Sequence, residues 1–271
     1  MNHCSGKATD LIDATHIGAT EWGFRGRLHA PLPGRTTAFA GRGRRLTFNR
    51  AFWQRLDDWA LNFNRWSNLS HRAGSGPRDI DWFGEVGTMA CNRPTAAHNR
   101  ARGIDLCQIR FSNGARIDMN ASHEGSLTDQ RLYLASVASL RRYFGTVLTC
   151  WYNPEHRDHL HVDDLTSVHP IRSKNRTDTT LVQAAARLLD GASLPIDGVW
   201  SNETETAYRG LVDTFGLASA DPRGDVNDGI LLLTHIMRAG LGDVDAGAVA
   251  DHVIDIHEPG LVSGFSEGHR S

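Results

Sequence analysis

HRDHLHVDD, residues 156–164, places three histidines and three aspartates in nine positions. If the run is a strand, alternate side chains share a face. His159 and His161 then point one way, while Leu160 and Val162 point into a core. Two imidazoles side by side on a polar face suit one metal ligand with one neighbouring base. Buried as neutral rings without that role, they would need partners for all four ring nitrogens. An isolated H-x-H is explained at least as well by a solvated edge strand, so the reading depends on what else the chain supplies.

AAHNRARGIDL (96–106) supplies a second cluster. It puts His98 seven residues before Asp105, with His98 expected on a loop, Asp105 at the start of a strand, and Gly103 permitting the chain to turn back. Imidazole and carboxylate are both ordinary zinc ligands, and a catalytic zinc keeps three protein ligands and one place for water. His98, Asp105 and His161 make such a set. His71, His123 and His169 stand alone and are read as structural or solvent-exposed.

Elsewhere the pattern is that of a mixed fold. LTFNRAFWQRLDDWALNFNRWSN (46–68) spaces Phe52, Leu56, Trp59, Phe63 and Trp66 by three or four, which predicts an amphipathic helix with its tryptophans in the core. IDWFGEVGTMAC reads as strand, and residues 104–119 as a hairpin turned at Asn113-Gly114. SLTDQRLYLASVASLRRYFG (126–145) predicts a helix with one apolar face, stopped at Gly145. TVLTCWYN and HLHVDDL are further strands, joined through Pro154. Residues 1–45 are rich in Gly, Arg, Thr and Pro and read as an irregular lead-in with short strands at most.

The bulk composition bounds the function. The 271 residues, 40% hydrophobic and 22% charged, are enough for a real core in one large or two smaller domains. A net charge of −2 gives no overall basic signature for nucleic acid. No stretch approaches the ~18 apolar residues of a membrane span. The start, MNHCSGKATDLIDATHIGATEWGF, shows neither the basic nor the apolar region of a secretory signal. The four cysteines, Cys4, Cys91, Cys107 and Cys150, contain no C-x-x-C pair, which argues against a cysteine zinc site. Cys91 with Cys150 could form a disulfide, while the absence of a signal argues for reduced thiols if the protein stays inside the cell.

The ordered set H-x6-D followed far downstream by H-x-H resembles the zinc peptidases of the D-Ala-D-Ala carboxypeptidase and murein endopeptidase group. Their usual pattern is S-x-H-x-x-G-x-A-x-D; here Thr95-Ala96-Ala97-His98 precedes Ala101, where glycine is usual. The longer stretch ACNR…H…GIDL…LRRYFGTVLT…NPEHRDHLHVD is similar to the extensin-like C-terminal domains of that group, over about residues 20–165 and most firmly over 86–165. The run His156, His159, His161 also resembles the penicillin-insensitive murein endopeptidases. Taken with the chemistry, the resemblance implies His98, Asp105 and His161 as zinc ligands and His159 as the general base. His156 would orient His159 or contact substrate. Asp158, three residues before the last ligand, is the rival base. Alternation points it away from the metal, so it ranks second, with an orienting or surface role as its alternative. Arg93 lies where relatives carry an arginine that can steady a developing oxyanion, although the order Cys-Asn-Arg matches only loosely. Asp163 and Asp164 are expected to orient ligands or end the strand.

RSKNRTDTT (172–180) is polar and reads as a linker; beyond it three Ala/Leu-rich helical stretches make a small unit. LPIDGVWSNETETAYRGLVDTFGL (194–217) resembles the peptidoglycan-binding repeat D-G-x-[FW]-G-x-x-T-x-x-A, through Asp197, Gly198, Trp200, Thr204 and Ala207. Ser201 replaces the usual glycine and can cap the next helix, and Trp200 is expected to pack the turn rather than stack on sugar. The expectation is therefore an α+β fold, a small antiparallel sheet with flanking helices carrying a zinc site, plus a small three-helix C-terminal domain. The divisions are 1–171 for the zinc peptidase domain with its lead-in, 172–179 for the linker, 180–255 for the peptidoglycan-binding-like domain and 256–271 for a tail. The function expected is a Zn2+ peptidase that hydrolyses stem-peptide or cross-link bonds of peptidoglycan. It would be a phage lysin or an injected or otherwise released effector, made in the cytoplasm and acting at the wall, with no nucleic-acid or membrane partner. The alternatives are a non-catalytic wall-binding protein that keeps the fold, and an intracellular protein with a purely structural zinc.

Overall fold

The computed structural model describes residues 11–13, 27–28, 47–72, 79–87 and 96–243. Arg93, Cys91, most of the lead-in and the stretch 256–271 lie outside these residues. The tryptophan-rich stretch forms helix α1 (Arg50–Arg72). It begins later than its periodicity suggests because Thr47–Asn49 is a strand, β3, paired antiparallel with β1 (Leu11–Asp13). The Asn49 side chain accepts from the backbone N–H groups of Ala51 and Phe52, satisfying donors that the first helical turn leaves open. Phe52, Leu56, Trp59 and Phe63 are fully buried, as the spacing predicts.

The main sheet contains β2 (Arg27–Leu28), β4 (Ile80–Gly87), β5 (Gly103–Phe111), β6 (Arg116–Asp118), β7 (Thr146–Leu148) and β8 (Leu160–Asp163), in the order β2-β4-β5-β8-β7, with β6 also paired to β5. Pairing is antiparallel except for β2 on β4. The Asn-Gly hairpin is present as β5–β6, and Gly114 takes φ 87° in its turn. The first half of β5 pairs instead with β8, so Asp105 stands directly opposite His161 and Gly103 opposite Asp163. Ile104, Leu106, Leu160 and Val162 are fully buried in the core. The polar residues between them therefore face away from that core. Trp59 packs on Phe83 of β4 and Phe63 on Phe111 of β5, which seats α1 on the apolar side of the sheet.

Helix α3 (Leu127–Arg141) starts at a capping box of Ser126 and Asp129. It departs from its sequence reading in two ways. It ends at Arg141, short of Gly145, and Gly145 serves close approach rather than a helix stop: a Cβ there would lie 2.1 Å from the Thr166 carbonyl oxygen. It is also buried all round through residues 132–141 rather than on one face. The physical reason is that α3 lies between two layers. Trp59 of α1 donates to Ser139 on one side. On the other side come helices α4 (Arg176–Leu189), α5 (Asn202–Thr214) and α6 (Val226–Gly240). Gly240 of α6 approaches so closely that a Cβ would meet the Arg131 carbonyl oxygen at 2.7 Å. Ser136 and Ser139 return their hydroxyls to carbonyls three residues back, so burial leaves them satisfied.

The polar stretch 172–179 is not a loose connection. Asn175 caps α4, whose first turn lies inside the stretch, and Asp178 is fully buried in an ion pair with Arg141 of α3 at 2.8 Å. Arg141 also donates to His169, and Arg142 reaches Asn62 of α1 at 2.7 Å. The three C-terminal helices share one continuous core with α1, α3 and the sheet. Polarity misleads here because the charged side chains of 172–179 find their partners on another helix. Ser201 caps α5 as expected, and Trp200 packs, donating to Glu205 at 2.9 Å under the Arg223 guanidinium. Among the described residues no helix is long and apolar enough to cross a membrane.

Candidate metal centre

Three elements build the site. His161 comes from β8, Asp105 from the opposing position on β5, and His98 from α2 (Ala96–Asn99), a single helical turn rather than the loop expected. The chain leaves α2 through Ala101, which takes the left-handed conformation at φ 53°. Arg102 N–H then donates back to the Ala97 carbonyl, closing the helix end. Ala101, not Gly103, thus performs the reversal. Gly103 serves proximity: a Cβ there would lie 3.2 Å from Ala97 Cβ and 3.5 Å from the His161 ring.

Asp105 Oδ1 lies 2.9 Å from His161 Nδ1 and 3.3 Å from His98 Nε2, and the two imidazole nitrogens are 3.2 Å apart. Four ligands placed about 2.0–2.1 Å from a tetrahedral ion stand roughly 3.3 Å from one another. The spacing of these three atoms fits that requirement, and the group could hold a metal ion. The far side of His161 is also prepared. Its Nε2 meets Asp163 Oδ2 at 3.1 Å, which leaves the Nδ1 lone pair for a cation when Nε2 carries the proton. Asp163 is held in turn by the Leu165 N–H. The neighbouring Asp164, given the same expectation from sequence, is used differently. It is buried and binds Arg102 at 2.7 Å and Arg55 at 3.4 Å, tying α1 to the end of β8.

The charges within the cluster favour one another. Burial alone would raise the Asp105 carboxyl, but the hydrogen bonds and positive charge of His161 and His98 hold it well below its ordinary value. Burial alone would lower His161; Asp105 and Asp163 outweigh it and push the imidazolium up to about 9. The two shifts describe one coupled ion pair, and their direction is the same physical fact seen from either partner.

His156 and His159 complete the face. His159 precedes β8 yet keeps the alternation: its Nε2 is 3.9 Å from Asp105 Oδ1. Its Nδ1 lies 2.7 Å from Asp158 Oδ1. His156 sits in a 3-10 turn, Pro154–His156, capped by Asn153, whose Oδ1 lies 2.6 Å from His156 Nδ1. The His156 ring packs 5.1 Å from His159 and 6.0 Å from His161. Burial and then its two histidine neighbours push His156 down to about 4. Asp163 behind His161 matches the orienting role its position suggests, whereas Asn153 has no role in the sequence reading; an Asn before Pro-x-His is the signal that could have found it.

The other polar residues fall elsewhere. His123 hydrogen-bonds the Met119 carbonyl and packs on Tyr133, and His169 is buried against Arg141. Cys150 is a free thiol pushed up to about 12, by burial first, and is therefore a poor nucleophile.

Residues 85–172 match the family model of the extensin-like protein C-terminus. No curated protein and no solved structure matches the chain. The matched span carries His98, Asp105, His156, Asp158, His159, His161 and Asp163, and ends before α4 begins.

Proposed function

We propose that the chain is a zinc-dependent peptidase acting on stem-peptide or cross-link bonds of bacterial peptidoglycan. The observation that carries the reading is the convergence of one carboxylate oxygen and two imidazole nitrogens within 3.3 Å of one another on a buried sheet face. Two imidazoles and one carboxylate suit zinc better than the all-oxygen sites of calcium or magnesium. A zinc ion held there would supply Lewis acidity toward water and a peptide carbonyl.

The protein's own groups take the remaining roles. Asp158 accepts from His159 Nδ1 and so presents His159 Nε2 to the cluster, where it can take a proton from an attacking water and pass it to the leaving amine. Asp158 thus acts through His159, in keeping with the side-chain alternation that ranks Asp158 second. Asn153 holds His156 beside His159, where it can contact substrate. Arg93 keeps its proposed role at the oxyanion. The C-terminal helices, through the likeness of residues 194–217 to a peptidoglycan-binding repeat, would keep the site near its insoluble substrate. A phage lysin or injected effector accounts for action at the wall.

The test is mass spectrometry of muropeptides after digestion of purified walls, with and without a chelator. The zinc-loaded chain should release new peptide termini, which also identify the bond cut. His98→Ala and chelated protein should release none. Unchanged digestion by His98→Ala overturns the mechanism, and wall binding without digestion by the zinc-loaded wild type favours a non-catalytic binding protein.

A further inference from the structure

Tyr152 stands at the edge of the histidine cluster, its ring 6.0 Å from His156 and edge-on to it. Over Tyr152, with its guanidinium carbon 5.9 Å from the ring centroid, lies Arg176, the first residue of α4. Arg176 belongs to the C-terminal helices and lies beyond the span that matches the extensin-like family. Its stem is gripped from behind by the Asp197-Gly198 turn. Gly198 takes φ 75°, and a Cβ there would lie 2.6 Å from Arg176 Cγ. Arg176 is exposed, and its charge acts on one carboxylate of that turn, Asp197, which the Val199 N–H first and Arg176 last hold below its ordinary value; no ion pair to Arg176 forms among the described residues. The tight turn packs on the Arg176 stem and the guanidinium lies over the Tyr152 ring, with its head group exposed to solvent.

We propose that Arg176, supplied by the C-terminal helices, and Tyr152 form an anion-recognising wall of the candidate active site that binds a carboxylate of the substrate. The proposal rests on the peptidase reading. A planar guanidinium matches a carboxylate in a bidentate fork, and one whose stem is packed and whose head lies over an aromatic ring loses less side-chain freedom when the ligand arrives. One guanidinium-to-ring step and two ring-to-ring steps, each about 6 Å, link Arg176 to His161. An extended peptide rises about 3.3–3.6 Å per residue, so the recognised carboxylate lies no more than about five residues from the bond cut. The D-G-x-W turn gains a purpose in this chain, since it packs on the Arg176 stem. Arg176 determines specificity by binding and takes no part in proton transfer.

The test compares a synthetic stem pentapeptide carrying free carboxylates with its fully amidated form, using the full chain loaded with zinc. Binding is read by calorimetric titration and turnover by product release. Wild type should prefer the free acid by about five- to tenfold, the size of one charge-assisted hydrogen bond at a solvent-exposed position. Arg176→Ala should bring that ratio close to one, Arg176→Lys should keep part of it, and Arg176→Glu should invert it. Zinc stoichiometry, read separately, should be the same in all four proteins. An acid-to-amide ratio that Arg176→Ala does not change overturns the proposal. Loss of turnover on both peptides in wild type overturns the peptidase reading instead, and the binding ratio then still reports on the wall.

Discussion

Two buried clusters of histidine and aspartate lie in this molecule, and they are built to opposite ends. At the junction of α3 and α4, Asp178 and His169 surround Arg141, whose guanidinium is a permanent cation within the protein. On the far face of the sheet, Asp105 meets His98, His161 and, at 3.9 Å, His159. Imidazoles become cations only by taking up a proton, and they give that proton up to a metal. The first cluster is structural. The second can exchange protons for a cation, which is the difference between a rivet and a site.

The contrast breaks most sharply at Asp178. Asp178→Ala strands Arg141 in a buried position, and such a loss costs about 3–5 kcal/mol. Urea unfolding should show a destabilisation of that size, with zinc uptake kept under native conditions; a loss below about 1 kcal/mol would mean the junction is not the rivet described. Asp105→Ala should do the reverse. Excess zinc should stabilise wild type by about 4 kcal/mol when free metal is a thousand times Kd. The Asp105→Ala chain should show no such rise, and elemental analysis should find its bound zinc lost.

Two smaller effects sharpen the comparison. Asp163→Asn removes the charge behind His161 and leaves all three ligands, so zinc should bind about 10–100-fold more weakly, as removal of an orienting partner does elsewhere. Proton linkage follows from the shifts at Asp105 and His161. His161 is raised from 6.5 to about 9, so its contribution to the stability of the metal-free protein is complete below pH 6.5 and is lost as pH rises through 9. Asp105 is depressed, so its contribution is present above its ordinary 3.8 and is lost as pH falls through the folded value. The pair therefore stabilises the metal-free chain most between about pH 4 and 6.5. Near pH 7, zinc binding should release a proton, seen as a dependence of titration heat on the ionisation enthalpy of the buffer. The Asp178 cluster, with its fixed guanidinium, should add nothing to that dependence.

The smallest effect is expected at Ala101. Its left-handed backbone costs an L-residue about 1–2 kcal/mol, partly offset by the greater freedom glycine has when unfolded and by the loss of a buried methyl. Ala101→Gly should therefore raise stability by no more than about 1 kcal/mol, without changing zinc affinity.

The site was more legible than its surroundings. Period-two alternation in HLHVD shows which histidines share a face, because the polar and apolar residues of that run alternate strictly from His159 to Asp163. The reversal before Asp105 was placed on Gly103 because glycine is the usual residue for a positive φ, and the chain uses Ala101. The polar run 172–179 reads as a linker because local composition does not reveal that Asp178 pairs with Arg141, 37 residues away. The all-round burial of α3 was hidden for the same reason: a helix with serines and alanines on a second face looks amphipathic until another helix is laid on those small residues.

By itself the sequence determined the repertoire: most of the segments that become strands or helices, and that two imidazoles and a carboxylate were available for a metal. Those choices depend on neighbours a few residues apart, through backbone preference and side-chain periodicity. Only the tertiary structure decided that His98 and Asp105 meet His161 across separations of 63 and 56 residues. That meeting rests on the register of β5 against β8, where a slip of one residue would turn His161 into the core and Leu160 toward the site.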